Sequence, residues 1–69
     1  MDYTLKGKRI RLTETMEDPQ PIEKGQEGTI QHTDGIGQIH VQWDNGRTLA
    51  VIPEKDKYEI FYKKLIYTI

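Results

Sequence analysis

Residues 38 to 52, QIHVQWDNGRTLAVI, read as two β-strands folded back on each other around Asp44-Asn45-Gly46. Apolar residues recur at every second position, Ile39, Val41 and Trp43 before the turn and Leu49 and Val51 after it, which is the period of a strand with one buried face. Two loops would join such strands. A type I′ turn at Asn45-Gly46 pairs Asp44 with Arg47, Val41 with Ala50 and Ile39 with Ile52, and sends Leu49 and Val51 to the outer face. A type I turn over Asp44 and Asn45, followed by Gly46 in the left-handed region as a G1 bulge, pairs Trp43 with Arg47, Val41 with Leu49 and Ile39 with Val51. The second register is preferred. It gathers the large apolar residues on one face, and glycine takes the left-handed conformation without a Cβ penalty.

Shorter strand-like runs flank this hairpin. Upstream, residues 1 to 6 form a loose lead-in in which Tyr3 and Leu5 alternate. Lys8 to Thr13, KRIRLT, alternates strictly, with Ile10 and Leu12 on one face and Arg9, Arg11 and Thr13 on the other. Residues 14 to 25, ETMEDPQPIEKG, contain two prolines and an acidic cluster, so they form a long loop rather than a continued ladder. Met16 and Ile22 are expected to tuck that loop against the core. Gly28 to Thr33 makes the second strand. If Ile30 faces Val41, the turn into the third strand, Gln38 to Trp43, shrinks to Gly35-Ile36, which suits a type II′ turn. Arg47 to Ile52 is the fourth strand, Pro53 to Lys57 a short link, and Tyr58 to Phe61 the fifth strand. The apolar stretch YKKLIYTI, residues 62 to 69, is left to add a strand, cover the barrel or meet a partner.

The expected fold is therefore all-β, a small five-stranded SH3-like barrel over residues 7 to 61. Sixty-nine residues make one domain, and at this size folding buries only about 60% of the surface of the unfolded chain. Without cysteine there is no disulfide and no thiolate metal site. Ten Lys and Arg against eleven Asp and Glu leave a net charge of −1, which gives no overall field to draw in a polyanion. The first residues lack the apolar run of a signal peptide, and no stretch approaches a membrane span, so the cytoplasm is the expected location.

The segments GKRIRL, DPQPIEKGQEGTI, GQIHVQWDNGRTLAVIP and DKYEI together are similar to an uncharacterised family of small bacterial and phage proteins, a domain of unknown function, from about Gly7 to Ile60. The resemblance implies a compact SH3-like barrel and no particular biochemistry. The GQEGTI run followed by VQWDNG also looks like the SH3-like recognition domains of mind-bomb and HERC-type ubiquitin ligases, which implies peptide binding. This chain has neither the long insert nor the second barrel of those proteins. Lys24-Gly25 to Ile30 resembles the KOW element of barrels associated with ribosomes and RNA polymerase.

No catalytic group, cofactor or metal site is expected. Serine and cysteine nucleophiles are absent from the chain. The acids Glu14, Glu17, Asp18 and Glu23 crowd one loop, where a solvated face is the ordinary reading. His32 and His40 point to opposite faces unless a bulge intervenes. The favoured function is a non-enzymatic module that binds a protein or peptide across Asp18, Pro19 and Pro21 of the long loop and Trp43, Asp44, Asn45 and Arg47 of the hairpin. Trp43 would present an aromatic surface with Arg47 stacked on its indole. For Trp43 taken by itself, parity with Ile39 and Val41 favours a place in the core or at the barrel rim, and Asp44 is expected to serve the turn. A nucleic-acid reading places Lys8, Arg9, Arg11, Lys63 and Lys64 in one basic stripe, and self-association through residues 62 to 69 would give a structural role.

Overall fold

The computed structural model describes residues 1–61. They form one antiparallel sheet of four strands: β1 (Arg9–Leu12), β2 (Glu27–Thr33), β3 (Ile39–Trp43) and β4 (Tyr58–Phe61), in the order β3-β2-β1-β4. The all-β class is as expected, whereas a closed five-stranded barrel is not seen among the described residues: their sheet is open. The expected apolar segment at 62 to 69, with Lys63 and Lys64, lies outside those residues. No helix among them is long and apolar enough to cross a membrane.

The first three strands owe their inward faces to the alternation in the sequence. Ile10 and Leu12 of β1, Ile30 of β2, and Ile39, Val41 and Trp43 of β3 turn to one side and are buried. The long loop after β1 completes this core with Met16 and Ile22, and the segment after β3 adds Val51. Leu5, Leu49 and Tyr58 pack against its margin. Between Gly28 and Trp43, partners across the β2–β3 ladder, no side chain fits: a Cβ at Gly28 would lie 2.7 Å from the Gln42 carbonyl oxygen and 3.0 Å from the Trp43 Cα.

The hairpin at residues 43 to 47 closes in the expected register. Gly46 N–H donates to the Trp43 carbonyl at 3.0 Å and Trp43 N–H to the Arg47 carbonyl at 2.8 Å. Gly46 has φ +91° and, among the described residues, only glycines have a positive φ, which excludes a type I′ turn at Asn45. The turn at residues 34 to 38 has the same form. Gly37 N–H donates to Asp34 and Asp34 N–H to Gln38, and Gly37 has φ +87°. The expected type II′ turn at Gly35-Ile36 is thus corrected: Gly37 supplies the left-handed residue, not Gly35.

That larger turn needs one more residue of slip, and β2 provides it. Ile30 faces Val41 as expected, but the register shifts before His32, which lies opposite His40. The surplus residue is Gln31, a β-bulge. Beyond it the side chains of β2 change face.

The expected fourth strand is also corrected. Arg47 to Ile52 follows β3 through isolated bridges at Gln42–Thr48 and Ile39–Val51, in the expected register, but does not form a regular strand. The reason is a side chain. The Leu49 carbonyl, which a regular ladder would offer to Val41, accepts the indole N–H of Trp43 at 2.8 Å. The lead-in is not loose either: Asp2 and Thr33 exchange two backbone hydrogen bonds of 2.8 Å.

Candidate functional site

Three features of the surface carry chemistry. The first is a ladder of ion pairs on the outer face of the sheet. Arg9 grips Asp44 with two hydrogen bonds, Nη1 to Oδ1 at 2.8 Å and Nη2 to Oδ2 at 2.5 Å, and also reaches Glu27 at 3.3 Å. Arg11 continues it, donating to Glu27 at 3.2 Å and through Nε to Glu59 at 2.7 Å, with its guanidinium 4.9 Å from the centre of the Phe61 ring. The bond to Asp44 raises the Arg9 pKa, and the bond to Glu59 does the same for Arg11. Asp44 in turn is held below the usual carboxylate range by its hydrogen bonds from Arg9. Among the described residues this face sets three acids against two arginines, so Arg9 and Arg11 of the expected stripe stand in a ladder of mixed charge. Arg9 and Arg11 are already paired with protein carboxylates, and a phosphate would have to displace them.

The second feature is an aromatic stack at the far end of the same sheet. Because the Gln31 bulge rotates His32 outward, the expected divergence of the histidines does not occur. Their rings stack at 4.4 Å with an interplanar angle of 13°, and Tyr3 lies 5.9 Å from His32. Asp34 organises the turn beneath them. Its Oδ1 accepts N–H bonds from Ile36 and Gln38, each at 3.0 Å, and its Oδ2 lies 2.8 Å from His40 Nε2. The bond to His40 is the main cause of the lowered pKa of Asp34. Among the described residues no group of three or more potential ligands is placed to hold a metal ion.

The third is a groove of about 160 Å³ between the long loop and the segment that follows β3. Met16, Leu49, Ala50 and Ile52 give it an apolar lining, and Glu17, Asp18, Lys55 and Asp56 its charges. Two anchors fix its walls. Lys55 Nζ donates to the Glu17 carbonyl at 3.2 Å, which ties the short link to the long loop, and Asp56 caps the Ile52 N–H at 2.8 Å.

The residues expected to form one peptide surface are dispersed. Trp43 is 1% exposed, so its indole belongs to the core and is not open to a ligand. Arg47 donates to the Pro21 carbonyl at 3.2 Å and holds the long loop against the hairpin. Asn45 accepts the Arg47 N–H at 3.0 Å within the turn. Asp44 faces Arg9 across the sheet. Pro19 is exposed at the loop tip, where the Asp18 carboxylate accepts the Gln20 N–H at 2.9 Å. Of the whole set only Asp18 lines the groove. Sequence reasoning missed Leu49, Ala50, Ile52, Lys55 and Asp56, which it assigned to a strand and a link; the Ile52-Pro53 break was the signal that the chain leaves the ladder there.

No curated protein and no solved structure shows a significant match to the chain. A family described as a domain of unknown function, DUF4314, matches residues 2–61, which include all four strands, the long loop and both tight turns. The chain belongs to this DUF4314 family.

Proposed function

We propose that the chain is a non-enzymatic interaction module that takes an extended, basic and apolar protein segment into the groove between the long loop and residues 49 to 56. The observation that carries this reading is the pairing of an apolar lining with three carboxylates and one lysine, Glu17, Asp18 and Asp56 against Lys55. A space of about 160 Å³ suits one or two side chains of a passing segment and not an enclosed substrate. Glu17 and Asp18 are exposed, so their charges are open to a partner. Such a lining favours lysine or arginine beside an apolar anchor and rejects acidic partners. An SH3-like arrangement is consistent with this use. The segment 47 to 52 bridges to the outer side of β3 and β4 pairs with β1, an order of neighbours that supports this reading.

Ten-residue peptides that alternate basic and apolar residues, followed by fluorescence polarisation, test the reading. Binding is expected to fall several-fold in Glu17→Lys/Asp18→Lys, whose side chains are exposed. Equal binding of acidic peptides, or an affinity unchanged by the double substitution, would overturn it.

A further inference from the structure

A second concavity, of about 480 Å³, lies on the other side of the molecule's chemistry, between the lead-in and the outward surface of β2 and β3. Tyr3 and Lys6 stand on the lead-in side, and Thr29, Gln31, His32 and Gln42 on the sheet side. Its volume is in the range of small-molecule sites. It is independent of the groove described above, and no residue lines both.

We propose that this concavity binds one nucleotide unit, with the base against Tyr3 and His32, its edge read by Gln31 and Gln42, and its phosphate met by Lys6. Four observations converge on that chemistry. Tyr3 is 55% exposed although its backbone neighbour Asp2 is pinned to Thr33, so an aromatic ring is presented on an anchored segment. His32 brings a second ring, held from behind by its stack on His40, and planar side chains of this kind are what bases stack on. Gln31 and Gln42 are both exposed, and each carboxamide offers a donor and an acceptor, the pattern that matches a base edge. Among the described residues that line the concavity there is no carboxylate, while Lys6 brings a positive charge with its Nζ 5.7 Å from the centre of the Tyr3 ring.

The Gln31 bulge makes this arrangement. Without it His32 would turn inward and the sheet face would lose its ring. The ion-pair ladder adds a boundary: Arg9 donates to Thr29 Oγ1 at 3.0 Å, so the edge of the concavity is fixed by the paired arginine. With a single lysine at the site, one phosphate is contacted and a duplex is not accommodated. The same chemistry would recognise a free mononucleotide or one unit of a single strand.

The test is an NMR titration of the full 69-residue protein with adenosine monophosphate, with single-stranded octa-adenylate, and with ribose 5-phosphate as a phosphate-only control. Saturable shifts are expected at the backbone amides of Tyr3, Lys6 and His32 and at the side-chain amides of Gln31 and Gln42. Equal response to the monomer and the octamer identifies a free nucleotide as the ligand, and response to the octamer alone identifies a strand; either supports the site. Tyr3→Ala should weaken binding about tenfold, the loss expected for one stacked base. Gln42→Leu, on the exposed sheet face, should weaken it while leaving the signals of the Trp43 indole in place. For one phosphate of the octamer the affinity should fall with salt at a log-log slope of about 0.7. Absence of saturable shifts at these residues, equal binding of ribose 5-phosphate, or binding indifferent to both substitutions would overturn the proposal.

Discussion

At Gly28 a hydrogen atom is all the space allows. A methyl group there would press on the Gln42 carbonyl oxygen at 2.7 Å and the Trp43 Cα at 3.0 Å, both backbone atoms that cannot swing aside, as well as the Val41 Cγ1 at 2.6 Å. Gly28→Ala is expected to cost about 1–3 kcal/mol, the usual penalty of overpacking, read as a lower urea midpoint with an unchanged slope. The Asp44 carboxylate offers a different handle. Its pKa in the folded chain is lowered from the ordinary value of 3.8 by its bonds from Arg9. A carboxyl depressed in the folded state contributes stability that is present above the unfolded value and is lost as pH falls through the folded one. The melting temperature should therefore drop on acidification below about pH 4. Asp44→Asn should flatten part of that drop, and an identical acid profile for the variant would show that the pair contributes nothing measurable.

The two tight turns share one construction, a three-residue loop ending in a left-handed glycine, and they differ in how readily it could be anticipated. At Asp44-Asn45-Gly46 the alternation on both sides fixed the register, because only one pairing put Leu49 and Val51 with the apolar set. At Asp34 to Gln38 the parity argument started from Ile30 opposite Val41, which is correct, and failed at the next residue, the bulge. Gln31 has no marker in the sequence, neither glycine nor proline, and its insertion is visible only once both strands are placed. The histidine stack was hidden for the same reason. Arg9 and Asp44 are 35 positions apart and meet only because β1 and β3 flank β2. A side chain also decided the segment after the hairpin, where the Trp43 indole takes the Leu49 carbonyl and interrupts a ladder that the pattern alone would continue. Gly46→Ala tests the shared turn. Nothing lies within 4 Å of the added Cβ, so the expected loss of about 1–2 kcal/mol is the cost of a left-handed alanine alone. A loss near zero in the denaturant midpoint would mean that the loop relaxes to another form.

For the whole molecule the margin is narrow. A chain of 69 residues has a total stability of about 3 to 10 kcal/mol. Trp43 lies at 1% exposure with its indole bonded, and truncation of so large a core side chain costs about 3–5 kcal/mol. Trp43→Ala is therefore expected to leave much of the population unfolded at room temperature, seen as collapse of amide dispersion; a cooperative melt near that of the parent would show that the core refills the space. A narrow margin also gives the Asn45-Gly46 bond a meaning beyond its geometry. An asparagine followed by glycine ages by attack of the glycine nitrogen on the asparagine carboxamide carbon, which expels ammonia and forms a succinimide that water then opens to isoaspartate and aspartate. In the folded chain that nitrogen is engaged with the Trp43 carbonyl, and the Asn45 carboxamide oxygen with the Arg47 N–H. Deamidation must wait for the turn to open. The extent of conversion at Asn45 in a stored sample, followed by mass spectrometry with and without mild urea, then serves as a chemical clock that records how long each molecule has spent out of its native turn, and equal rates in both samples would show that the folded turn gives no protection.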